Sequence, residues 1–479
     1  MKILSNYING EFVSAINGKT IAVIEPATNI QFATIPDSET DDIQEAVNAA
    51  KNAFLHWSNL PNEVREGWLH KLANGIQNRF EEFVEAESKD SGKTLTTARE
   101  VDIPRAIYNL HFFAGAAQHF ASESHYMPNK GINYTLRKPI GVVGCISPWN
   151  LPLYLFSWKI APALAAGNCV VAKPSDVTPY TAYLLAEVCD EIGFPKGVLN
   201  IIFGGVESGR AIVAHPEIKA ISFTGSTRAG EDIARTAAPL FKKISLELGG
   251  KNPNIIFDDA DLNDAVNISI RSSFNNQGQI CLCGSRIFVH EKVYDEFKKQ
   301  FVEATKKLII GDPNNAETRI GAVVSKAHEE KVLSYIELAK QESGTILCGG
   351  EKVNVAGRCE NGFFIAPTII EGLAYGCRTN LEEIFGPVVT LTPFKTEEEV
   401  LQMANIVQYG LAASVHTHNL ERAHRVAEKL ECGIVWINSW LERDLRTPFG
   451  GTKSSGVGRE GGWEAMRFFT EAKNVFVRY

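Results

Sequence analysis

Two rhythms of apolar residues divide the chain. Between Asp41 and Phe54, the positions Ile43, Ala46, Val47, Ala50 and Phe54 recur close to every 3.6 residues, which predicts an amphipathic helix. Residues 63–88 continue that pattern, so the N-terminal third reads as mostly helical. From residue 140 the rhythm changes to short apolar runs at 141–146, 169–172, 198–202 and 220–223, with a helical pattern at 179–192 between them. Such runs read as buried strands, and strand–helix–strand at about 30-residue spacing is the rhythm of a parallel sheet. Residues 245–250 close this half on a glycine pair, and a second α/β stretch runs from 252 to about 450. The tail at 474–479 alternates as a terminal strand does. It needs an edge to pair with, and a neighbouring subunit would supply one.

Composition narrows the class. The chain has 479 residues, which suits three ordinary domains or two large ones. Hydrophobic residues make up 44% and charged residues 22%, an ordinary globular balance that excludes a disordered or fibrous chain. The net charge of −8 provides no electrostatic footprint for nucleic acid or an anionic membrane. The first residues lack the apolar core of a secretory leader, and the apolar stretch at 160–172 is too short to span a bilayer, so a cytoplasmic location is expected. Nine scattered cysteines form no CxxC pair and no zinc spacing, so reduced thiols and no metal are expected.

Two glycine motifs mislead. Residues 456–461 match GxGxxG literally, but they follow no predicted strand and open no βαβ unit, so they read as a structural turn. Gly249-Gly250-Lys251 lacks the spacing of a phosphate loop. Gly225-Ser226-Thr227 offers instead a helix start after a strand, where a nucleotide phosphate can sit.

Cys281 follows Gly278-Gln279-Ile280 at a predicted helix end, and Glu247 is followed closely by glycines. Alone, each reads as a buried thiol or a paired carboxylate. Their context differs. Pro148-Trp149-Asn150-Leu151-Pro152, Lys173-Pro174-Ser175, Phe223-Thr224-Gly225-Ser226-Thr227, residues 246–253, Gly278-Gln279-Ile280-Cys281, Glu383-Ile384-Phe385-Gly386-Pro387 and Pro448-Phe449-Gly450-Gly451 occur in that order. This series resembles the NAD(P)-dependent aldehyde dehydrogenase superfamily over nearly the whole chain.

The resemblance implies an α/β fold. Its parts would be a doubly wound, Rossmann-like NAD-binding domain (1–119 and 140–249), an α/β catalytic domain (250–450) and a small β oligomerisation arm (120–139 and 465–479). A homodimer or homotetramer is expected. Cys281 would be the nucleophile, Asn150 and the Cys281 N–H the oxyanion donors, and Glu247 the general base. NAD would lie against Ile146, Ser147, Trp149, Lys173, Ser175, Asp176, Gly205, Gly225, Ser226, Leu248, Glu383 and Phe385. The family usually has Glu where this chain has Asp176; a carboxylate there would repel a 2′-phosphate and favour NAD over NADP. Cys283 replaces a common Ala, as packing or as a redox guard of Cys281. Leu151 replaces a frequent tunnel aromatic.

Arginines suggest the substrate. On spacing alone Arg443 reads as the ion-pair partner of flanking Glu442 and Asp444. The segments around Arg105 and Arg443 also resemble the branch that oxidises 2-aminomuconic and 2-hydroxymuconic 6-semialdehydes. There the two arginines, with Phe449 beside them, would hold a carboxylated aldehyde. The resemblance favours 2-aminomuconate 6-semialdehyde; the alternatives are 2-hydroxymuconic semialdehyde, or a general aldehyde such as betaine aldehyde or succinic semialdehyde, and intact Cys281, Glu247 and Asn150 speak against a non-catalytic relative that kept the fold.

Overall fold

The computed structural model describes residues 2–479. Two large sheets carry the molecule. The first has eight strands in the order Gly456–Val457, Lys243–Glu247, Ile218–Thr224, Val142–Ile146, Cys169–Lys173, Leu199–Ile201, Asn6–Ile8 and Glu11–Val13. Its five central strands run parallel. Every residue of Val142–Ile146 and Cys169–Lys173 is buried, as expected for strands with both faces covered. The helices Thr40–Ser58 and Pro152–Ala165 pack on them. Pro152 stands in the first helical turn, where its missing N–H costs nothing.

The second sheet has seven strands in the order Thr345–Cys348, Thr368–Glu371, Val388–Phe394, Arg286–His290, Pro253–Ile256, Ala412–His416 and Ile434–Ile437. All but Thr345–Cys348 pair in parallel. A third sheet joins Ser124–Met127, Gly131–Pro139 and the C-terminal strand Thr470–Arg478.

Four expectations need correction. The helices of the N-terminal third begin only at Thr40: residues 2–36 form five strands, most of them too brief to register as alternation. The helical stretch at 63–88 is two helices, Asn62–Asn78 and Phe80–Ser91, broken at Arg79, which ion-pairs with Glu82, Glu187 and Glu191. The C-terminal strand finds its edge within the chain, since Thr470–Arg478 pairs with Gly131–Pro139 along its whole length. The glycine motif at 456–461 is more than a turn. Gly456–Val457 is a short strand lying antiparallel along Leu246 and Glu247. Gly456 is required there, because a Cβ would stand 1.9 Å from the Leu246 carbonyl oxygen.

The apolar stretch at 160–172 is core: the end of the helix Pro152–Ala165 and most of the strand Cys169–Lys173, all buried. No described helix is long and apolar enough to cross a membrane.

Candidate active site

The carboxyl ends of parallel strands are where α/β sheets build their sites. Here they deliver the predicted residues. Ile146 ends one strand with Ser147 just beyond it, Lys173 ends the next, and Glu247 ends Lys243–Glu247. Asn150 follows the first of these, just before the helix Pro152–Ala165.

Cys281 sits in a turn after the helix Leu262–Phe274 and the 3₁₀ turn Asn275–Gly278. Asn276 and Gln277 hold left-handed backbone (φ +51° and +57°), an uncommon state for side-chain-bearing residues that reverses the chain toward the cysteine. Asn252 clamps that turn. Its Nδ2 donates to the carbonyls of Cys281 (2.7 Å) and Cys283 (2.9 Å), and its Oδ1 accepts from the Ala412 N–H. Asn150 Nδ2 donates to the Gln279 carbonyl at 2.9 Å, which leaves its second amide hydrogen available. The Cys281 N–H donates to no backbone or side-chain group among the described residues. Burial, with the Glu383 and Glu247 carboxylates, pushes the Cys281 thiol well up; Arg443 opposes this. Cys283 is buried in the apolar cluster that includes Trp440 and Phe449, and all nine cysteines are free.

Glu247 is buried, and neither of its carboxylate oxygens has a hydrogen-bond partner. Burial and the nearby Glu460 carboxylate push its pKa well above the ordinary range, against Lys159, Arg459 and Arg443. Glu460 itself is fully engaged. It accepts from Trp158 Nε1 (2.7 Å), Lys159 Nζ (2.8 Å) and Ser222 Oγ (3.2 Å). Glu247 is thus a buried carboxylate without partners beside one that is completely satisfied, an arrangement that can exchange a proton.

Most residues expected to hold the cofactor lie at or beyond the carboxyl ends of the first sheet's strands, while Glu383 and Phe385 come from the loop before Val388–Phe394. Ser147 Oγ and Thr224 Oγ1 are buried without partners, and Lys173 Nζ makes a single 3.3 Å bond to the Pro174 carbonyl. Lys173 is held below its ordinary pKa by burial, against Asp176 and Asp37. Ser175 Oγ accepts from the Val177 N–H at 3.2 Å. Gly205 caps the helix Val206–Ala214, its N–H committed to Asp37. Ser226 caps Thr227–Ala237 by accepting the Ala229 N–H, and its hydroxyl hydrogen stays free to donate. Glycines open the cradle: a Cβ on Gly225 would stand 2.4 Å from the Phe223 ring, and one on Gly249 would stand 2.5 Å from Glu383 Oε2. Glu383 accepts from the Gly250 N–H at 2.8 Å. Leu248 packs against Gly230, where a Cβ would come within 2.6 Å of its methyl. Phe385, at φ +65°, holds its ring edge-on to Trp149 at 5.3 Å, and His328 donates to its carbonyl at 2.7 Å. Orphaned hydroxyls, a helix N-terminus and glycine-opened backbone fit a dinucleotide.

A cleft of about 350 Å³ opens between Arg105, Tyr108, Tyr154, Leu441 and Arg443. Arg443 does not pair with its sequence neighbours. Asp444 is taken by Arg446 (Nε at 2.9 Å), and Arg443 turns instead onto the rings of Phe449 (3.9 Å) and Trp158 (4.9 Å). Its Nη1 donates to Tyr154 Oη at 3.1 Å. Arg105 donates from Nε to Asn109 Oδ1 and lies over Tyr154, with Nη2 buried and unpartnered. Among the described residues neither guanidinium ion-pairs with a carboxylate. Burial and the nearby charge of Arg443 hold Arg105 below its ordinary pKa. Two neighbouring cations without counterions can accept an anion. Leu151 is half-buried and packs against the main core rather than among the cleft-lining residues.

Sequence reasoning missed Asn252 and Glu460. Asn252 lies in a recognised motif, but only the fold shows that its amide reaches two carbonyls near residue 282. Glu460 sits 213 positions from Glu247 and carries no local signal (460 − 247).

A model of the aldehyde dehydrogenase family matches residues 12–475. A curated zebrafish (Danio rerio) protein, 2-aminomuconic semialdehyde dehydrogenase, is 50% identical over 481 residues, covering 100% of this chain and 98% of its own. A 2-hydroxymuconic semialdehyde dehydrogenase of Pseudomonas sp. (strain CF600) is 44% identical, with 100% of each chain covered. The crystal structure of an aldehyde dehydrogenase from Bacillus cereus in complex with NAD+ superposes with a TM-score of 0.96 at 41% identity, covering 99% of this chain and 96% of that one.

Proposed function

The chain belongs to the aldehyde dehydrogenase family, and on that premise we propose that it oxidises a carboxylated aldehyde with NAD, specifically 2-aminomuconate 6-semialdehyde to 2-aminomuconate. The observation that carries the substrate reading is the pair of unpaired guanidiniums, Arg105 and Arg443, at one cleft. The names of the similar zebrafish and Pseudomonas proteins agree with it.

Cys281 Sγ passes its proton to water and adds to the aldehyde carbon; a C–S bond forms as the carbonyl π pair moves to the oxygen, which becomes an alkoxide. Asn150, with its spare amide hydrogen, and the Cys281 N–H receive that charge. The residues from Ser147 to Glu383 would hold NAD, which when bound would supply hydride acceptance; with the hydride gone, the substrate carbon stays on Cys281 as a thioester. Glu247 then takes a proton from water. The resulting hydroxide adds to the thioester carbon, the C–S bond breaks, and the acid leaves as a carboxylate. Throughout, Arg105 and Arg443 hold the substrate's existing carboxylate, while Phe449 supports Arg443.

The division into an NAD-binding unit, a catalytic unit and an arm is drawn around the eight-stranded sheet, the seven-stranded sheet and the sheet that holds the C-terminal strand, three of the five sheets. The arm leaves an open strand edge with Tyr126, Phe476 and Tyr479 exposed, which supports assembly into a homodimer or homotetramer.

The test is chemical. The semialdehyde is generated in situ by its ring-opening enzyme and supplied with NAD. One NADH and one dicarboxylate per aldehyde, identified by mass spectrometry, are expected. No NADH from this substrate, with turnover of neutral aldehydes alone, would overturn the substrate reading.

A further inference from the structure

Beneath Asn150 lies a buried charge cluster that the chemistry above leaves unused. Glu87, Lys93 and Asp102 are almost wholly withdrawn from solvent. Lys93 Nζ donates to the Asp102 carboxylate and stands 3.6 Å from Glu87 Oε1. It also donates, at 3.1 Å, to the main-chain carbonyl of Asn150. That carbonyl accepts a second bond, at 3.0 Å, from Nδ2 of Asn276 in the loop that leads to Cys281. The residue before Lys93 is tied to the same loop, since the Gly92 carbonyl accepts from Gln277 Nε2 at 3.3 Å. On the far side, Glu87 Oε2 accepts from the Leu153 N–H at 3.3 Å, in the first turn of the helix that follows Asn150. Glu87 is raised to about 7 by burial, against Lys93.

A buried ion cluster is weak evidence of stabilisation, because apolar residues of similar volume serve as well or better. What apolar residues cannot do is donate. The one hydrogen bond that Lys93 Nζ makes outside the cluster goes to the peptide of the residue whose side chain receives the oxyanion. We propose that Lys93, fixed by Asp102 and Glu87, is a positioning residue that sets the Asn150 amide in place for the oxyanion. This inference rests on the oxyanion role of Asn150 given above.

Removing Lys93 alone would strand two buried carboxylates, so the test replaces the ion pair together. K93M/D102L removes the donor to Asn150 together with Asp102, and Glu87, which burial already raises to about 7, is left as the neutral acid. K93R is the second variant and keeps a buried cation with altered reach. Turnover is expressed per active Cys281 titrated by the NADH burst, so that misfolded protein does not enter. Misplacement by about 1 Å costs roughly 10²-fold, so kcat of K93M/D102L is expected to fall about 10- to 100-fold with KM for NAD unchanged, and that of K93R about 10-fold. In an N150A background, each change should cost less than about 3-fold further, because residues acting through one group are not additive. Wild-type kcat in either folded variant, or losses that multiply with N150A, would overturn the proposal. If K93M/D102L does not fold, K93R decides on the same criteria. A harmless N150A would instead refute the oxyanion role itself.

Discussion

Replacing Arg443 with alanine separates anion recognition from aldehyde chemistry. Arg443 is held by two rings and one phenol and by no carboxylate, so its charge has no structural partner to lose. A hydrogen bond between charged groups contributes about 1.5–3 kcal/mol, and a partly desolvated guanidinium–carboxylate contact sits at the upper end. At 1.36 kcal/mol per tenfold, R443A should lower kcat/KM for the acid semialdehyde about 10²-fold. A neutral aldehyde of the same length should lose less than about 3-fold. Stability supplies a second, independent sign. Arg443 depresses the Arg105 guanidinium, so the two repel, and in R443A relief of that repulsion should offset the lost ring and phenol contacts and leave the melting temperature little changed. The assay is initial-rate NADH formation on both substrates, alongside thermal unfolding. Equal losses on the two aldehydes would assign Arg443 to general site architecture. An unchanged semialdehyde rate would refute the clamp.

The other expectations are briefer. E247Q should retain a stoichiometric NADH burst while steady-state turnover falls at least 10²-fold, since the base serves only thioester hydrolysis. In the wild type, the raised Glu247 pKa means that its base form grows as pH rises, so the hydrolysis rate should climb through an inflection above the ordinary carboxylate range. In the protein without cofactor, alkylation of Cys281 by iodoacetamide should be slow at pH 7 and accelerate beyond pH 9, because burial and two carboxylates disfavour its thiolate; rapid alkylation at pH 7 would contradict this. Deleting residues 470–479 strips the long partner strand from Gly131–Pro139 and should reduce the mass seen by light scattering to that of a monomer.

Much of the site could be read from the sequence because its chemistry needs particular residue types in order along the chain. Cys281, Glu247 and Asn150 lie in recognisable motifs, and the parallel-sheet rhythm places two of them at strand ends or just beyond. What escaped depends on contacts distant in sequence. The partner of Asp444 could not be told from spacing, since Arg443 and Arg446 are both near; the rings of Trp158 and Phe449 decide it. Asn252, Lys93 and Glu460 act through hydrogen bonds to groups distant in the chain, and no periodicity encodes these. The strands at 2–36 were invisible for another reason: most are very short and half-exposed, so alternation never accumulates.

The most direct test of the central claim compares two aldehydes on the unmodified enzyme with NAD. One is the muconic semialdehyde, formed in situ; the other is a neutral aldehyde of similar length. A kcat/KM preference of about 10² or more for the semialdehyde, about 2.7 kcal/mol, is predicted from the unpaired arginines. Equal efficiencies would leave the dehydrogenase chemistry standing and contradict the assignment of Arg105 and Arg443 to substrate carboxylate recognition.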